Sequence, residues 1–402
     1  MRIGILRETK TPPDRRVPLT PQQCAVLKSR FPDVELTVQP SEIRVFSDDE
    51  YRNAGIRVDE NLGDCDLLLG VKEVKSSSLL PGKRYLFFSH TIKKQPYNRG
   101  MLQDVLAKKI QLIDYETLRD RDNQRIIGFG RWAGIVGCYN GFLALGLRDG
   151  LYNLKPAHQC RDRNELNLQL SKIQAPKELK IVITGSGRVA SGVLEVLKTI
   201  GIREISPVNF LKYSAPEPVF TLLEVDDYYS RLDGQPFDRK AFFKSGTGHR
   251  CDFAPYLNSA DLYLACHFWD SSSPKIVTRE DLMNPNCRTR IIADISCDVA
   301  GPIASTIRAS TIAEPLYGYD PSTGLECSFS QKGAIGVMAV DNLPCELPRD
   351  ASESFGESLL EKVFPAILGE DPDHIIGKAS ITTLEGSLGG EYEYLKSYAE
   401  GH

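Results

Sequence analysis

Between Leu179 and Gly201 the chain runs from an apolar segment through a glycine turn into an amphipathic segment, and this constrains its fold more than any other feature. Leu179-Lys180-Ile181-Val182-Ile183-Thr184 is β-branched and short, which predicts a strand. Gly185-Ser186-Gly187-Arg188-Val189-Ala190 follows at once, and Leu194, Val196, Leu197 and Ile200 then recur at helical spacing until Gly201. A G-x-G-x-x-A turn between strand and helix is the context a dinucleotide pyrophosphate needs. The first glycine makes the tight turn, and the second admits the phosphates to the backbone. The small third residue lets helix and strand pack, with the helix N-terminus supplying positive charge. Gly185, Gly187, Arg188 and Val189 are therefore candidate cofactor residues.

Later apolar runs, Asp261–Cys266 and Arg290–Ile295, extend this into a Rossmann-like α/β domain. The fingerprint expects an acid about twenty residues on, at the end of the second strand, to hold the ribose hydroxyls of NAD. We read that strand in the stretch 204–212, Glu-Ile-Ser-Pro-Val-Asn-Phe-Leu-Lys, which carries no acid where one is needed. Lys212 and Arg188 could meet a 2′-phosphate, so this reading tips from NADH toward NADPH.

The first third repeats the α/β alternation. Arg2–Leu6, Asp66–Val71, Arg84–Ser89 and Gln111–Tyr115 read as strands, with Ser76-Ser77-Ser78 as a loop. Thr20-Pro21-Gln22-Gln23 and Ser47-Asp48-Asp49-Glu50 are capping boxes, and Gly55 is placed to stop the second helix. The run from Phe129 to Leu147 is small, apolar and glycine-rich, which predicts a closely packed helix opening a second domain. Residues 155–177 read as a polar surface connection. A length of 402 residues suits two or three domains. A net charge of -4 gives no general pull toward nucleic acid or anionic lipid. No run approaches the ~18 apolar residues of a membrane span. The N-terminus turns charged before a signal-peptide core could form, and the ten cysteines include no C-x-x-C pair. These points predict a cytoplasmic protein with reduced thiols and no structural metal. Cys266-His267 reads as a strand end and not as a zinc site.

Two polar residues stand at predicted strand ends in the first domain: Lys72 after Leu-Leu-Leu-Gly-Val and His90 after Leu-Phe-Phe-Ser. Open parallel sheets place ligands beyond such ends, where a lysine and a histidine could exchange protons with a substrate. Strand-end capping is the alternative that spacing alone leaves open.

Longer blocks carry a resemblance. Arg7-Glu8-Thr9-Lys10 with Arg16-Val17-Pro18-Leu19-Thr20-Pro21 resembles the opening of the alanine dehydrogenase and saccharopine dehydrogenase superfamily. Residues 87–93 (Phe-Phe-Ser-His-Thr-Ile-Lys), 112–116 (Leu-Ile-Asp-Tyr-Glu), 129–134 (Phe-Gly-Arg-Trp-Ala-Gly), 341–348 (Asp-Asn-Leu-Pro-Cys-Glu-Leu-Pro) and 351–356 (Ala-Ser-Glu-Ser-Phe-Gly) narrow it. Together they are similar to the lysine-ketoglutarate reductase domain of the bifunctional animal and plant enzymes. The likeness to the fungal lysine-forming saccharopine dehydrogenases is weaker. The resemblance leads us to expect a free-standing reductase, without the onward-oxidising half of the bifunctional enzymes.

The resemblance implies two Rossmann-like α/β domains with a cleft between them. The substrate domain is discontinuous (residues 1–135 plus 341–402), and the nucleotide domain covers 136–340. It makes Lys72 and His90 the acid/base pair, places Arg16 and Arg125 on substrate carboxylates, and sets Glu73 and Glu116 beside the pair. Asp294, Asn342 and Leu343 fall beside the nicotinamide and ribose. The implied reaction condenses L-lysine with 2-oxoglutarate and reduces the imine to saccharopine, or runs in reverse. Gln124 stands where the fungal enzymes carry a further arginine, and residues 215–250 fit those enzymes poorly. An alanine dehydrogenase-like enzyme and a non-catalytic nucleotide sensor are the competing readings. Oligomeric state is not legible.

Overall fold

The computed structural model describes residues 1–401 and divides the chain into two compact units, 1–129 with 348–401 and 130–347. Each is a Rossmann-like α/β unit.

The first unit holds six parallel strands: β1 (Arg2–Ile5), β2 (Glu35–Val38), β3 (Arg57–Val58), β4 (Leu67–Leu69), β5 (Arg84–Phe87) and β6 (Gln111–Asp114). Their order is β3-β2-β1-β4-β5-β6, so the strand sequence reverses between β1 and β4. The strands are apolar at consecutive positions because both faces are covered. Leu67, Leu69 and Leu86 pack into one core, and Leu68, Tyr85 and Phe87 into another. Helices α1 (Pro21–Arg30) and α2 (Asp48–Asn53) begin at Thr20 and Ser47 with both halves of each capping box formed. Helix α3 (Arg99–Ala107) connects β5 to β6. The chain's last segment returns to this unit. Val17 N donates to Ser352 Oγ (2.9 Å), Gln23 Nε2 to Glu353 O (2.7 Å), and Ile381 N to Leu112 O (2.7 Å). Phe355, on the helix Pro348–Ser358, stacks on Phe129 at 4.6 Å.

The second unit is built on an eight-stranded sheet and a two-stranded one. Its strands are β7 (Lys180–Thr184), β8 (Arg203–Glu204), β9 (Val219–Leu223), β10 (Tyr229–Arg231), β11 (His249–Cys251), β12 (Leu262–Ala265), β13 (Ile291–Asp294), β14 (Leu316–Asp320), β15 (Leu325–Cys327) and β16 (Ile335–Met338). The large sheet runs β15-β14-β16-β13-β12-β7-β9-β8, and β10 pairs with β11. The glycine-rich segment is helix α4 (Gly130–Asp149). Helix α5 (Arg163–Leu170) lies within the stretch read as a bare connection. It is capped by Asp162 and buries Leu166 and Leu170, a short apolar stripe hidden by the polar residues around it. Helix α6 (Arg188–Thr199) follows the glycine turn. Helices α4 and α6 touch backbone to backbone. A Cβ on Gly134 would stand 1.8 Å from Val189 O, and one on Gly192 would stand 1.9 Å from Arg131 O. Farther along α4, Asn140 Nδ2 donates to the fully buried Glu346 Oε1 at 2.9 Å. Among the described residues no helix is long and apolar enough to cross a membrane, and no group of three or more potential ligands could hold a metal ion.

The stretch 204–212 is not the second strand of the fingerprint. After β8 it becomes helix α7 (Pro207–Lys212), with proline in its first turn, and Lys212 is exposed at its end. The strand hydrogen-bonded beside β7 is β9, in parallel register from Lys180↔Val219 to Thr184↔Leu223. Residues 215–250 thus supply that strand, the turn of helix α8 (Val225–Tyr228), and β10 with the start of β11.

Candidate active site and nucleotide turn

In the first unit the chemistry gathers beyond the carboxyl ends of β1, β4, β5 and β6. This includes the point of strand-order reversal, where open α/β sheets bind ligands. Past β1, Glu8 reaches across to β4, and its carboxylate accepts from Val71 N (2.6 Å) and Lys72 N (3.0 Å). That clamp fixes the backbone carrying Lys72. Burial and nearby Asp14 raise the Glu8 carboxyl to about 8. Lys72 is shifted the other way. Burial first, and the charge of Arg16 second, lower its ammonium pKa, so its neutral amine is easier to reach than in water.

Past β5, His90 sits in the left-handed region (φ 54°), an uncommon conformation for a residue with a Cβ. Its Nδ1 lies 2.6 Å from Glu73 Oε1, and Lys10 Nζ lies 3.2 Å from Glu73 Oε2. A carboxylate can only accept, so Nδ1 carries the proton and Nε2 is left as the nitrogen with a lone pair to offer. Burial alone would raise the Glu73 carboxyl. The His90 hydrogen bond, a backbone N–H and the charges of His90 and Lys10 outweigh it and hold Glu73 at about 2.

Past β6, buried Asp114 accepts from Ser89 N (3.0 Å), from the Ser89 hydroxyl, and from Glu116 N (2.7 Å). It therefore ties the His90 segment to the Glu116 segment, although burial raises its own pKa. Glu116 Oε1 faces Lys93 Nζ at 3.4 Å, and its Oε2 is buried with no hydrogen-bond partner.

The predicted residues Lys72, Glu73, His90 and Glu116 come together on adjacent strand ends. The two arginines differ. The Arg125 guanidinium lies 5.6 Å from the Phe88 ring centroid, close to this cluster. Arg16 is 2% exposed, forms a bidentate pair with Asp14 (3.0 and 2.6 Å), and stacks on Phe129. Its fork is thus already on a carboxylate of the chain itself. Glu8 and Asp114 act on backbone N–H groups across strands, a role that no sequence spacing displays.

In the second unit the glycine turn lies between strand β7 and helix α6, as its sequence predicts. Gly185 takes φ 87°, and a Cβ there would meet Cys266 O at 2.7 Å, so only glycine fits between the ends of β7 and β12. A Cβ at Gly187 would meet nothing within 4 Å, which leaves the turn open to close approach at the start of α6. Arg188 is exposed, Val189 is half-buried, and Ala190 is buried beneath them. An acid does stand directly after β9, the strand beside β7: it is Glu224. Its Oε2 lies 2.6 Å from Arg239 NH1, and the same arginine holds Asp226 at 2.6 Å. A leucine run ending in Glu is the signal that could have found it.

Asp294 ends β13 as expected, but its carboxylate is turned inward. Oδ1 accepts from Cys297 N (3.0 Å) and Oδ2 from Thr306 Oγ1 (2.7 Å), and burial raises it to about 6. It pins the 295–306 loop. Leu343 is buried in a short turn, and Asn342 precedes it, half-buried. His267 Nδ1 lies 2.8 Å from Thr184 Oγ1, and burial lowers its pKa to about 3, so it is a neutral core histidine. All ten cysteines are free.

Residues 4–136 match the family described as alanine dehydrogenase/PNT, N-terminal domain. The alpha-aminoadipic semialdehyde synthase, mitochondrial, of Bos taurus is 26% identical over 99% of this chain and 48% of its own length. The chain thus spans about half the length of that relative. The saccharopine dehydrogenase [NAD(+), L-lysine-forming] of Emericella nidulans is 26% identical over 89% of this chain and 90% of its own. Among solved structures, an L-alanine dehydrogenase superposes with a TM-score of 0.66 at 15% identity, covering 99% of this chain and 100% of that one. Strand-end site, glycine turn and sequence likeness agree: residues 4–136 match the alanine dehydrogenase/PNT N-terminal family, and nearly the whole chain is similar to the alpha-aminoadipic semialdehyde synthases and, over most of its length, to the lysine-forming saccharopine dehydrogenases.

Proposed function

We propose that this protein is a nicotinamide-dependent oxidoreductase acting on a CH–NH donor, which condenses L-lysine with 2-oxoglutarate and reduces the imine to saccharopine, or runs the reverse. The observation that carries the reading is the Lys72/His90 pair on neighbouring strand ends. One member is pushed toward its neutral amine, and the other is oriented by Glu73 at 2.6 Å.

Lysine's ε-amine must be neutral to attack the keto carbon, and carbinolamine must then lose water. Each step moves one proton, a task suited to Lys72 and to the Nε2 of His90. Glu73 fixes the orientation of the His90 ring through Nδ1. Arg125 is suited to a substrate carboxylate, whereas Arg16 is already engaged by Asp14. The likeness to a lysine-forming saccharopine dehydrogenase over 89% of this chain favours this reading over an alanine dehydrogenase.

The open backbone at Gly187 and the N-terminus of α6 fit a pyrophosphate. Bound there, a nicotinamide nucleotide supplies or receives the hydride. Glu224 changes the reading of which nucleotide. At the end of β9 it is placed to accept from ribose hydroxyls, and with Asp226 it would repel a 2′-phosphate despite Arg239. The preference proposed is therefore NADH.

The test is absorbance at the nicotinamide band with purified protein, lysine and 2-oxoglutarate, run with each nucleotide. Oxidation that requires both substrates and is faster with NADH is the expected result. Protein that binds a nucleotide yet oxidises neither in the presence of both substrates would overturn the reading.

A further inference from the structure

We propose that a cavity of about 550 Å³ beside Glu73 takes the amino-acid head group of the amine substrate, and that Asn98 reads its carboxylate. This rests on the reaction proposed above and adds the substrate's far end.

Thr9, Lys10, Glu73, Lys75, Asn98 and Asp104 are among the cavity's walls. Glu73 joins it to the catalytic pair: one carboxylate oxygen holds His90, and the other meets Lys10 on the cavity wall. The chain arrives at Asn98 from His90 through two short 3-10 turns, residues 91–93 and 96–98, so one loop borders both places.

Asn98 is the unexplained group. It is 4% exposed, and its Nδ2 is buried with no hydrogen-bond partner. It stands at the N-cap of α3, where asparagine normally accepts from the helix, yet it makes no side-chain capping bond. Buried polar groups are otherwise almost always paired, so an orphaned amide donor on a cavity wall calls for an acceptor from a ligand. Lys75, exposed on the rim, adds positive charge, and Asp104 offers a partner for an ammonium. A carboxylate and an ammonium on one carbon match that set. An extended lysine places these roughly 7.5 Å from its ε-nitrogen, six bonds that each advance ~1.25 Å along the zigzag chain. A substrate reacting beside His90 would carry its head group past Glu73 toward the cavity.

The test is calorimetric titration of the full-length protein, without turnover, using L-lysine and 1,5-diaminopentane, which lacks the carboxylate. Wild type should bind lysine at least tenfold more tightly than the diamine, equivalent to ~1.4 kcal/mol. Asn98→Asp keeps the shape and adds an anion, so lysine binding should fall at least tenfold while diamine binding holds or rises. Lys75→Gln, a surface change, should weaken lysine severalfold and leave the diamine unaffected. A lysine preference that survives both substitutions overturns the assignment, as does wild-type protein that binds no lysine. Intact, Asn98-dependent lysine binding in protein that never oxidises nucleotide would sink the proposed reaction and leave this site standing.

Discussion

Glu346 offers a stability test whose size follows from its surroundings. It is 1% exposed, accepts from Asn140 Nδ2 at 2.9 Å, and is raised by burial from an ordinary 4.5 to about 8. A raised carboxyl binds its proton more tightly in the native state than in the unfolded chain. Its contribution to stability is therefore complete below about pH 4.5 and is lost as pH rises toward and through 8. With those two values the accumulated penalty is about 0.8 kcal/mol at pH 5 and about 3.3 kcal/mol at pH 7, a loss of about 2.5 kcal/mol between them. Glu346→Gln keeps an oxygen for Asn140 and cannot ionise, so this part of the slope should vanish. Denaturant unfolding at the two pH values, for wild type and variant, measures the difference. Both tryptophans, Trp132 and Trp269, lie in the second unit, so their fluorescence reports the unit that contains Glu346. Other raised carboxyls, Glu8 and Asp294 among them, act equally on both proteins and cancel in the comparison. Parallel stability curves for wild type and variant would refute the reasoning.

Three further outcomes are expected. Lys72→Met should slow steady-state turnover by roughly two to four orders of magnitude and leave the nucleotide dissociation constant unchanged. Glu224→Gln should weaken NADH by about tenfold, the worth of a charge-assisted pair of hydrogen bonds, and should improve NADPH, as read by fluorescence titration of each nucleotide. Gly134→Ala places a Cβ 1.8 Å from Val189 O, so thermal unfolding should show a loss of about 3 kcal/mol or more, the upper range for overpacking.

What the sequence displayed was whatever depends on neighbours along the chain. Thr20 and Ser47 cap their helices as the spacing implies, because a capping box closes within four residues. The glycine turn was legible for the same reason, and Lys72 and His90 were legible as polar residues ending apolar runs. What stayed hidden depends on lateral order. Nothing local says that β9, and not the segment after β8, lies against β7. Ser206-Pro207 was the available hint that a helix and not a strand follows. Likewise Asp294 could be placed at a strand end but not aimed, since the groups that turn it inward, Cys297 N and Thr306, come later in the chain. Arg16 carries the same lesson: its partner Asp14 is two residues away, yet only the folded loop closes the pair.

The contact between α4 and α6 has a consequence for how this protein can drift. Where helices meet through side chains, rotamer changes absorb small errors, and a lost methylene is partly refilled. Gly134 and Gly192 instead set peptide against peptide, with nothing compressible in the seam. Any added atom there must be met by rigid translation of α6, which carries its N-cap Gly187, the proposed pyrophosphate site, with it. The same helix α4 rests Gly137 against Ile295 and Gly141 against Leu264, so its own freedom to retreat is small. A segment that reads as bland and permissive therefore works as a spacer of fixed thickness, and variation in it should reach the nucleotide undamped.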